Sequence, residues 1–300
     1  DEDHFHLKSI DLPNPMYGLA IKPANDADAQ RTSDALHAMV AEDPSLVLEH
    51  NAALNEIVLR GMGELHLRTV LEEILDRYSL EVQTALPSIA YRETITAAAE
   101  GHYRHKKQTG GAGQFGEVFL RIAPLPAGSG FEFKSEVVGG AIPSQYIPAV
   151  ESGVKQAMES GASYGYPMQD VKVTVYDGKH HSVDSKEIAF VQAGKKAFLD
   201  AVEKARPIVM EPIVDVTFTI PTDCAGGVTG DLSSMRGMVT GTEILPDNRM
   251  VVTGRAPLKE IQGYHSRLKS LTGGDGSFTM DFSHYAEVPR EALDQVAAQN

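Results

Sequence analysis

The chain has no tryptophan and only one cysteine, Cys224, in 300 residues. A single thiol excludes an intrachain disulfide framework and any cysteine-cluster metal site. As a nucleophile it would need a positioned base, so a buried or half-buried thiol is the expectation. No apolar run is long enough to cross a bilayer, and the start, Asp1-Glu2-Asp3-His4, has neither the basic nor the apolar segment of a signal peptide. These absences point to a soluble, cytoplasmic chain without a membrane partner. The P-loop pattern G-x-x-x-x-G-K-[ST] is missing as well, which argues against a GTP or ATP site within this chain.

A basic excess is also lacking. The formal net charge is −14, which on its face speaks against nucleic acid. The distribution speaks otherwise: Tyr91 to Arg206 carries 14 Lys+Arg against 13 Asp+Glu, while the rest carries 13 against 28. Four of the eleven histidines fall in that middle stretch. Any RNA contact is therefore expected to be local to the middle, with acidic flanks limiting indiscriminate binding. Apolar content of 42% and charged content of 23% are those of folded domains, and the length allows two or three.

The most informative stretch runs from His105 to Val118. It contains G-x-G-x-x-G from Gly111 to Gly116, a pattern shared by dinucleotide sites and kinases. A dinucleotide site needs a helix opening within the glycines. Here they run into Val118, Leu120 and Ile122, which alternate with Phe119 and Arg121 as a strand does. The kinase lysine, catalytic-loop and D-F-G motifs are absent. What remains is a flexible hairpin tip preceded by cations, Arg104, His105, Lys106 and Lys107, suited to approach phosphate.

Hydrophobic periodicity organises the flanks. Tyr17 to Ile21 reads as a strand, Asp26 to Ala41 as a helix, and Leu46 to Glu49 and Glu56 to Leu59 as two strands. A second helix carries Leu67, Val70, Leu71, Ile74, Leu75 and Tyr78, and Leu80 to Gln83 is a last strand, giving βαββαβ. The order recurs after Pro207. A strand carries Val214, Val216, Phe218 and Ile220, a short helix spans Gly227 to Met235, and strands lie near Gly237 to Ile244 and Arg249 to Arg255. Pro257 then opens one helix carrying Leu258, Ile261, His265, Leu268 and Leu271, before a strand with Phe278, Met280 and Phe282. In the middle, strands are expected at Gly116 to Ile122, Gly130 to Val137 and Val171 to Tyr176, with helices at Ser144 to Ser160 and Ser185 to Lys204. Two α+β sandwiches thus flank a third α+β domain.

Three further segments invite chemistry. His180-His181 followed by Asp184 could be a metal site or an acid/base dyad. Adjacent histidines in an extended segment point to opposite sides, however, and Asp184 with Glu187 has the form of a capping box, so an exposed tip with Lys179 fits polyanion contact better. His66, with no partner at i+4, reads as structural. Thr229-Gly230-Asp231 is explained by helix capping and a turn.

In combination and order these segments resemble the C-terminal half, domains III to V, of bacterial translation elongation factor G, over residues 16 to 290. Glu42-Asp43-Pro44-Ser45 and Gly61 to Leu67 resemble domain III, Tyr91-Arg92-Glu93-Thr94-Ile95 the entry to domain IV, and His105 to Gly116 its first tip loop. Gly140-Ala141-Ile142-Pro143 through Val150 resembles the second loop and helix, Asp177 through Ser185 the loop with the tip histidine, and Gly230-Asp231-Leu232 through Arg236-Gly237 a domain V motif.

The resemblance implies two ferredoxin-like sandwiches at 15–90 and 207–286, flanking a ribosomal-protein-S5-domain-2-like domain at 91–206. Residues 1–14 would be the tail of an upstream domain, and 287–300 a C-terminal helix packing on domain IV. It implies partners too: both ribosomal subunits, ribosomal RNA, tRNA and mRNA at the A site, and an upstream GTPase domain holding GTP and Mg²⁺, in a monomer. This chain itself would have no cofactor and no catalytic residue. The tip contacts implied are His105, Lys106, Lys107, Gly110, Gly111, Gly113, Gln114, Gly116, Lys179, His180 and His181; ribosomal RNA would meet Gly230, Asp231 and Arg236.

The sequence departs from the family at several cations. The run of three arginines in domain V is Ser234-Met235-Arg236, and the usual Lys-Gly-Arg is Gly273-Gly274-Asp275. The tip loop reads Gly178-Lys179-His180-His181-Ser182, which gives His181 the tip-histidine place. Such changes suggest a divergent paralogue. Translocation is the implied role, with ribosome recycling or protection as the alternative within the family.

Overall fold

The computed structural model describes residues 15–51, 54–108 and 113–297. They form two compact units. One contains the described residues up to Ala90 together with Ile213–Ser283, and the other Tyr91–Pro212 with the described residues from His284.

The first unit begins with β1 (Tyr17–Pro23), a 3-10 turn and α1 (Ala29–Glu42), then β2 (Val47–Asn51), β3 (Glu56–Gly61), α2 (Glu64–Tyr78) and β4 (Val82–Ala85). The strand order is β2-β3-β1-β4, and every pairing is antiparallel. Helical spacing turns Leu36 and Met39 of α1 and Leu67, Val70 and Ile74 of α2 onto Ile21 and Leu59 of the sheet. Each such side chain stabilises the fold by about 1.5–3 kcal/mol on burial. Leu75, which shares that spacing, stays 47% exposed. Ser79 ends α2 in the left-handed region at φ 53°.

The second unit contains β5 (Arg92–Ile95), β6 (Ala99–Lys107), β7 (Gln114–Pro124), β8 (Phe131–Ser135), α3 (Ile147–Ser160), β9 (Val171–Lys179) and α4 (Glu187–Lys204). Its sheet order is β6-β7-β9-β8, with β8 and β9 parallel. The alternating Val118, Leu120 and Ile122 and Val171, Val173 and Val175 bury one face of the sheet under α3 and α4. Strand β6 has no apolar alternation to announce it. At its inward position, Gly101, a side chain would collide with the α4 backbone at Ala197, so glycine stands where an apolar residue would have given the signal. Glu93 of β5 is fully buried and accepts N–H bonds from Ser163, Tyr164 and Tyr166, each at 2.9 Å.

The chain continues with β10 (Pro207–Pro221), α5 (Ala225–Ser234), β11 (Met238–Ile244), β12 (Arg249–Pro257), α6 (Leu258–Ile261), α7 (Tyr264–Leu271), β13 (Ser277–Glu287) and α8 (Arg290–Ala297). The order β11-β12-β10-β13 repeats the topology of the first sandwich. Phe218 centres the core, with the rings of Tyr264 at 5.9 Å and Phe278 at 5.5 Å. The single helix expected after Pro257 is two: Gly263 adopts φ 86°, in the left-handed region, and breaks the helix between Ile261 and Tyr264. In the second unit, the Tyr166 hydroxyl donates to the Val296 carbonyl of α8 at 2.8 Å.

Candidate functional site

Three loops meet at one end of the second unit. The first is the β6–β7 hairpin, whose register pairs His105 with Gly116, Lys106 with Phe115 and Lys107 with Gln114. His105 Nε2 lies 3.0 Å from Gln114 Oε1, while Lys106 and Lys107 are exposed and form no ion pair among the described residues. Gly110 and Gly111 lie outside the described residues.

The second loop joins β9 to α4, and it is zipped to the hairpin. Phe115 N–H donates to Asp184 O at 2.9 Å, and the Ser185 hydroxyl donates to Phe115 O at 2.9 Å. Ser185 Oγ also accepts the His181 N–H at 2.8 Å. A Cβ at Gly113 would lie 2.6 Å from the Asp184 carboxylate, and one at Gly116 would lie 3.2 Å from the Ala189 backbone, so the small residues let the loops close on one another. The capping box expected of Asp184 and Glu187 does not form. The residue preceding α4 is Lys186, with no side-chain cap, because the hairpin takes the Asp184 carbonyl.

The third loop precedes α3. Ile142 is buried beneath Gly178, where a Cβ would come within 2.5 Å of it. His180 Nδ1 lies 3.2 Å from Ala141 O, and the Tyr146 hydroxyl donates to Ser185 O at 3.0 Å. His181 Nδ1 accepts the N–H groups of Val183 at 3.3 Å and Asp184 at 3.2 Å. The structure thus brings His105, Lys106, Lys107, Gly113, Gln114, Gly116, Lys179, His180 and His181 to one end. Phe115, Ala141, Tyr146 and Ser185 tie that end together, and sequence reasoning missed them because their contribution is a backbone or hydroxyl bond that no residue pattern advertises.

Arg104, grouped with the tip cations by sequence, has another use. Its Nε lies 3.1 Å from Glu117, which is also 2.8 Å from His102 Nε2. Burial would raise the Glu117 carboxyl, but hydrogen bonds from Arg104 and His102 and the charges of Arg104 and Lys179 outweigh it and hold the group below its ordinary value.

The residues expected to meet ribosomal RNA lie on α5 and just after it, in the first unit. Thr229-Gly230-Asp231 sits inside α5 rather than at a cap or turn. Gly230 is exposed, but Asp231 accepts the Tyr264 hydroxyl at 2.8 Å and pairs with Arg267 at 3.1 Å. The Arg267 hydrogen bond, with help from Tyr264, holds the Asp231 carboxyl below its ordinary value against burial. Arg236, at φ 56°, pairs with Glu260 at 3.1 Å.

Elsewhere in this unit His66 is structural. Its Nδ1 accepts the Met62 N–H at 3.1 Å, and its Nε2 donates to Asp43 at 2.9 Å. Asp43 in turn accepts the Ser45 N–H and hydroxyl at 2.8 and 2.6 Å, so two of the segments that signalled domain III are joined by one carboxylate. His265 is buried, and burial, helped by the charge of Lys269, pushes its pKa down against a backbone contact at Met62. Among the described residues no group of three or more His, Cys, Asp or Glu gathers as a metal site would. No described helix is long and apolar enough to cross a membrane.

Three family models match the sequence in succession: Elongation Factor G, domain III, over residues 12–86; Elongation factor G, domain IV, over 87–206; and Elongation factor G C-terminus over 208–296. Among solved structures, a crystal structure of a protein from Thermus thermophilus is similar at a TM-score of 0.83 with 40% sequence identity. The match covers 97% of this chain and 44% of that one, so the chain spans less than half the length of this relative.

Proposed function

The chain belongs to the elongation factor G family, spanning its domains III and IV and its C-terminus, and on that premise we propose that it is the ribosome-binding portion of a cytoplasmic translational GTPase that promotes movement of tRNA and mRNA. GTP and Mg²⁺ act in an upstream domain, and the second unit serves as an arm that contacts RNA without making or breaking bonds. The observation that carries this reading is the convergence of three loops that leaves Lys106, Lys107 and Lys179 exposed beside two histidines. Cations outside the protein's own ion pairs are what phosphate contact requires, and a scaffold of two helices and a sheet fixes the base of the loops. The partners of this tip are ribosomal RNA and the A-site tRNA–mRNA, reached by a monomer acting on both subunits.

A second reading is favoured by the ion pairs Arg236–Glu260 and Arg267–Asp231, which occupy arginines on the face that family members turn to ribosomal RNA. Weaker anchoring there suits a paralogue that recycles or protects ribosomes with the same arm. Reconstituted translocation and subunit-splitting assays of the full-length factor, run side by side, separate the two. His181→Ala should slow whichever step is native severalfold while ribosome-stimulated GTP hydrolysis is retained. A parallel fall in GTP hydrolysis, or no change in either, defeats the arm assignment.

A further inference from the structure

We infer that the two adjacent tip histidines are held in opposite tautomers, so that as neutral rings His181 presents an N–H donor and His180 a nitrogen acceptor to RNA, beside the cationic lysines. The inference rests on the RNA-contacting reading for its ligand but not for its geometry. Neutral imidazole has one donor and one acceptor nitrogen, and the partner of one fixes the role of the other.

At His181 the partners are both donors. The N–H groups of Val183 and Asp184 point at Nδ1 from 3.3 and 3.2 Å, which requires a lone pair there and leaves the proton on Nε2. Among the described residues the opposing group is the Asp184 carboxylate, 3.6 Å from the same nitrogen. That is outside hydrogen-bond distance, and a proton on Nδ1 would forfeit two backbone bonds to gain it. At His180 the partner is the Ala141 carbonyl, which can only accept, so Nδ1 carries the proton and Nε2 keeps the lone pair. Both side chains are exposed, with 54% of the His181 side chain accessible.

An exposed N–H donor and an exposed nitrogen acceptor each suit ribose hydroxyls, which both accept and donate and are what distinguishes RNA from DNA. Such contacts are not charge contacts. They should add affinity without releasing counterions, whereas each lysine on phosphate contributes to the salt slope.

The test has two arms. Long-range proton–nitrogen correlation of the 15N-labelled 300-residue chain, assigned with His180→Gln and His181→Gln, should show a bare Nδ1 at His181 and a bare Nε2 at His180. The same tautomer at both, or a proton on His181 Nδ1, overturns the inference without any variant having to be compared in activity. In the second arm, binding of the chain to ribosomes is titrated with salt. His181→Ala, and His181→Gln as a check on folding, should weaken binding about 2–10-fold with the slope of log affinity on log salt unchanged. A slope reduced by about 0.7, as expected for Lys106→Gln, would make His181 a cation and refute the proposal. Failure of the unsubstituted chain to bind ribosomes would count against the proposed function, while the spectrum would still decide the tautomers.

Discussion

The tip of the second unit and the α5–α7 face of the first are both expected to meet RNA, yet they use cations in opposite ways. At the tip Lys106 and Lys107 form no ion pair among the described residues, Lys179 is exposed on the strand position beside Glu117, and backbone and hydroxyl bonds do the work of cohesion. On α5–α7, Arg236 and Arg267 are tied to Glu260 and Asp231, and the cations serve the fold. Charge count alone therefore does not locate a nucleic-acid surface. What matters is which cations remain free once the protein has satisfied its own carboxylates.

The comparison breaks most severely if the tip is disassembled. Gly178→Val places a branched side chain against Ile142 and the β7 backbone, and should destabilise the second unit by about 1–3 kcal/mol, read by thermal unfolding, with loss of ribosome binding. Unchanged melting would mean the third loop is not packed on β9. Next in size, replacing Lys106, Lys107 and Lys179 together by Gln should lower the salt slope of ribosome binding by about 2 while leaving melting unaltered. The converse pattern, stability lost and slope retained, would place these lysines in the fold after all.

The other side of the comparison is sharpened by pH. Because the Asp231 carboxyl is held below its ordinary value by the Arg267 hydrogen bond, the stability it contributes is present above the unfolded value, about 3.9, and is lost as pH falls through the lower folded value. Asp231→Asn should therefore reduce the melting temperature at neutral pH by roughly 2–4 °C, and the gap should close as the solution is acidified through the lowered folded value. A gap independent of pH would mean that the charge of Asp231 does not contribute to stability. The smallest effect is expected of Glu260→Gln, which removes the Arg236–Glu260 ion pair and should tighten ribosome binding by a factor of about 2–3, with a slightly steeper slope.

Much of the architecture was legible from periodicity. Helices α1, α2, α3 and α4 and strands β1 and β10 carry most of their apolar residues on one side, and the order βαββαβ could be counted twice. Strand β6 could not be read, since Gly101 stands between the partly buried Ala99 and Tyr103 on its inward face and the other face carries Glu100, His102, Arg104 and Lys106. The break at Gly263 was hidden because Leu258, Ile261, His265 and Leu268 keep helical spacing across it. At the tip, residue type singled out the glycines and histidines, but not how Asp184 is used. A capping pattern is a local prediction, and here a hydrogen bond from Phe115, 69 positions earlier in the sequence, outweighs it.

The zip between Phe115 and Asp184–Ser185 also bears on motion. Two loops that share their bonds have one opening equilibrium rather than two, since neither can swing away without surrendering the same pair of contacts. The amide hydrogens of Phe115 on the hairpin and of His181 and Ser185 on the other loop should then exchange with solvent at a common opening free energy. A ligand that grips either loop would slow exchange in both, so that contact felt by a lysine at the hairpin is registered at the histidines.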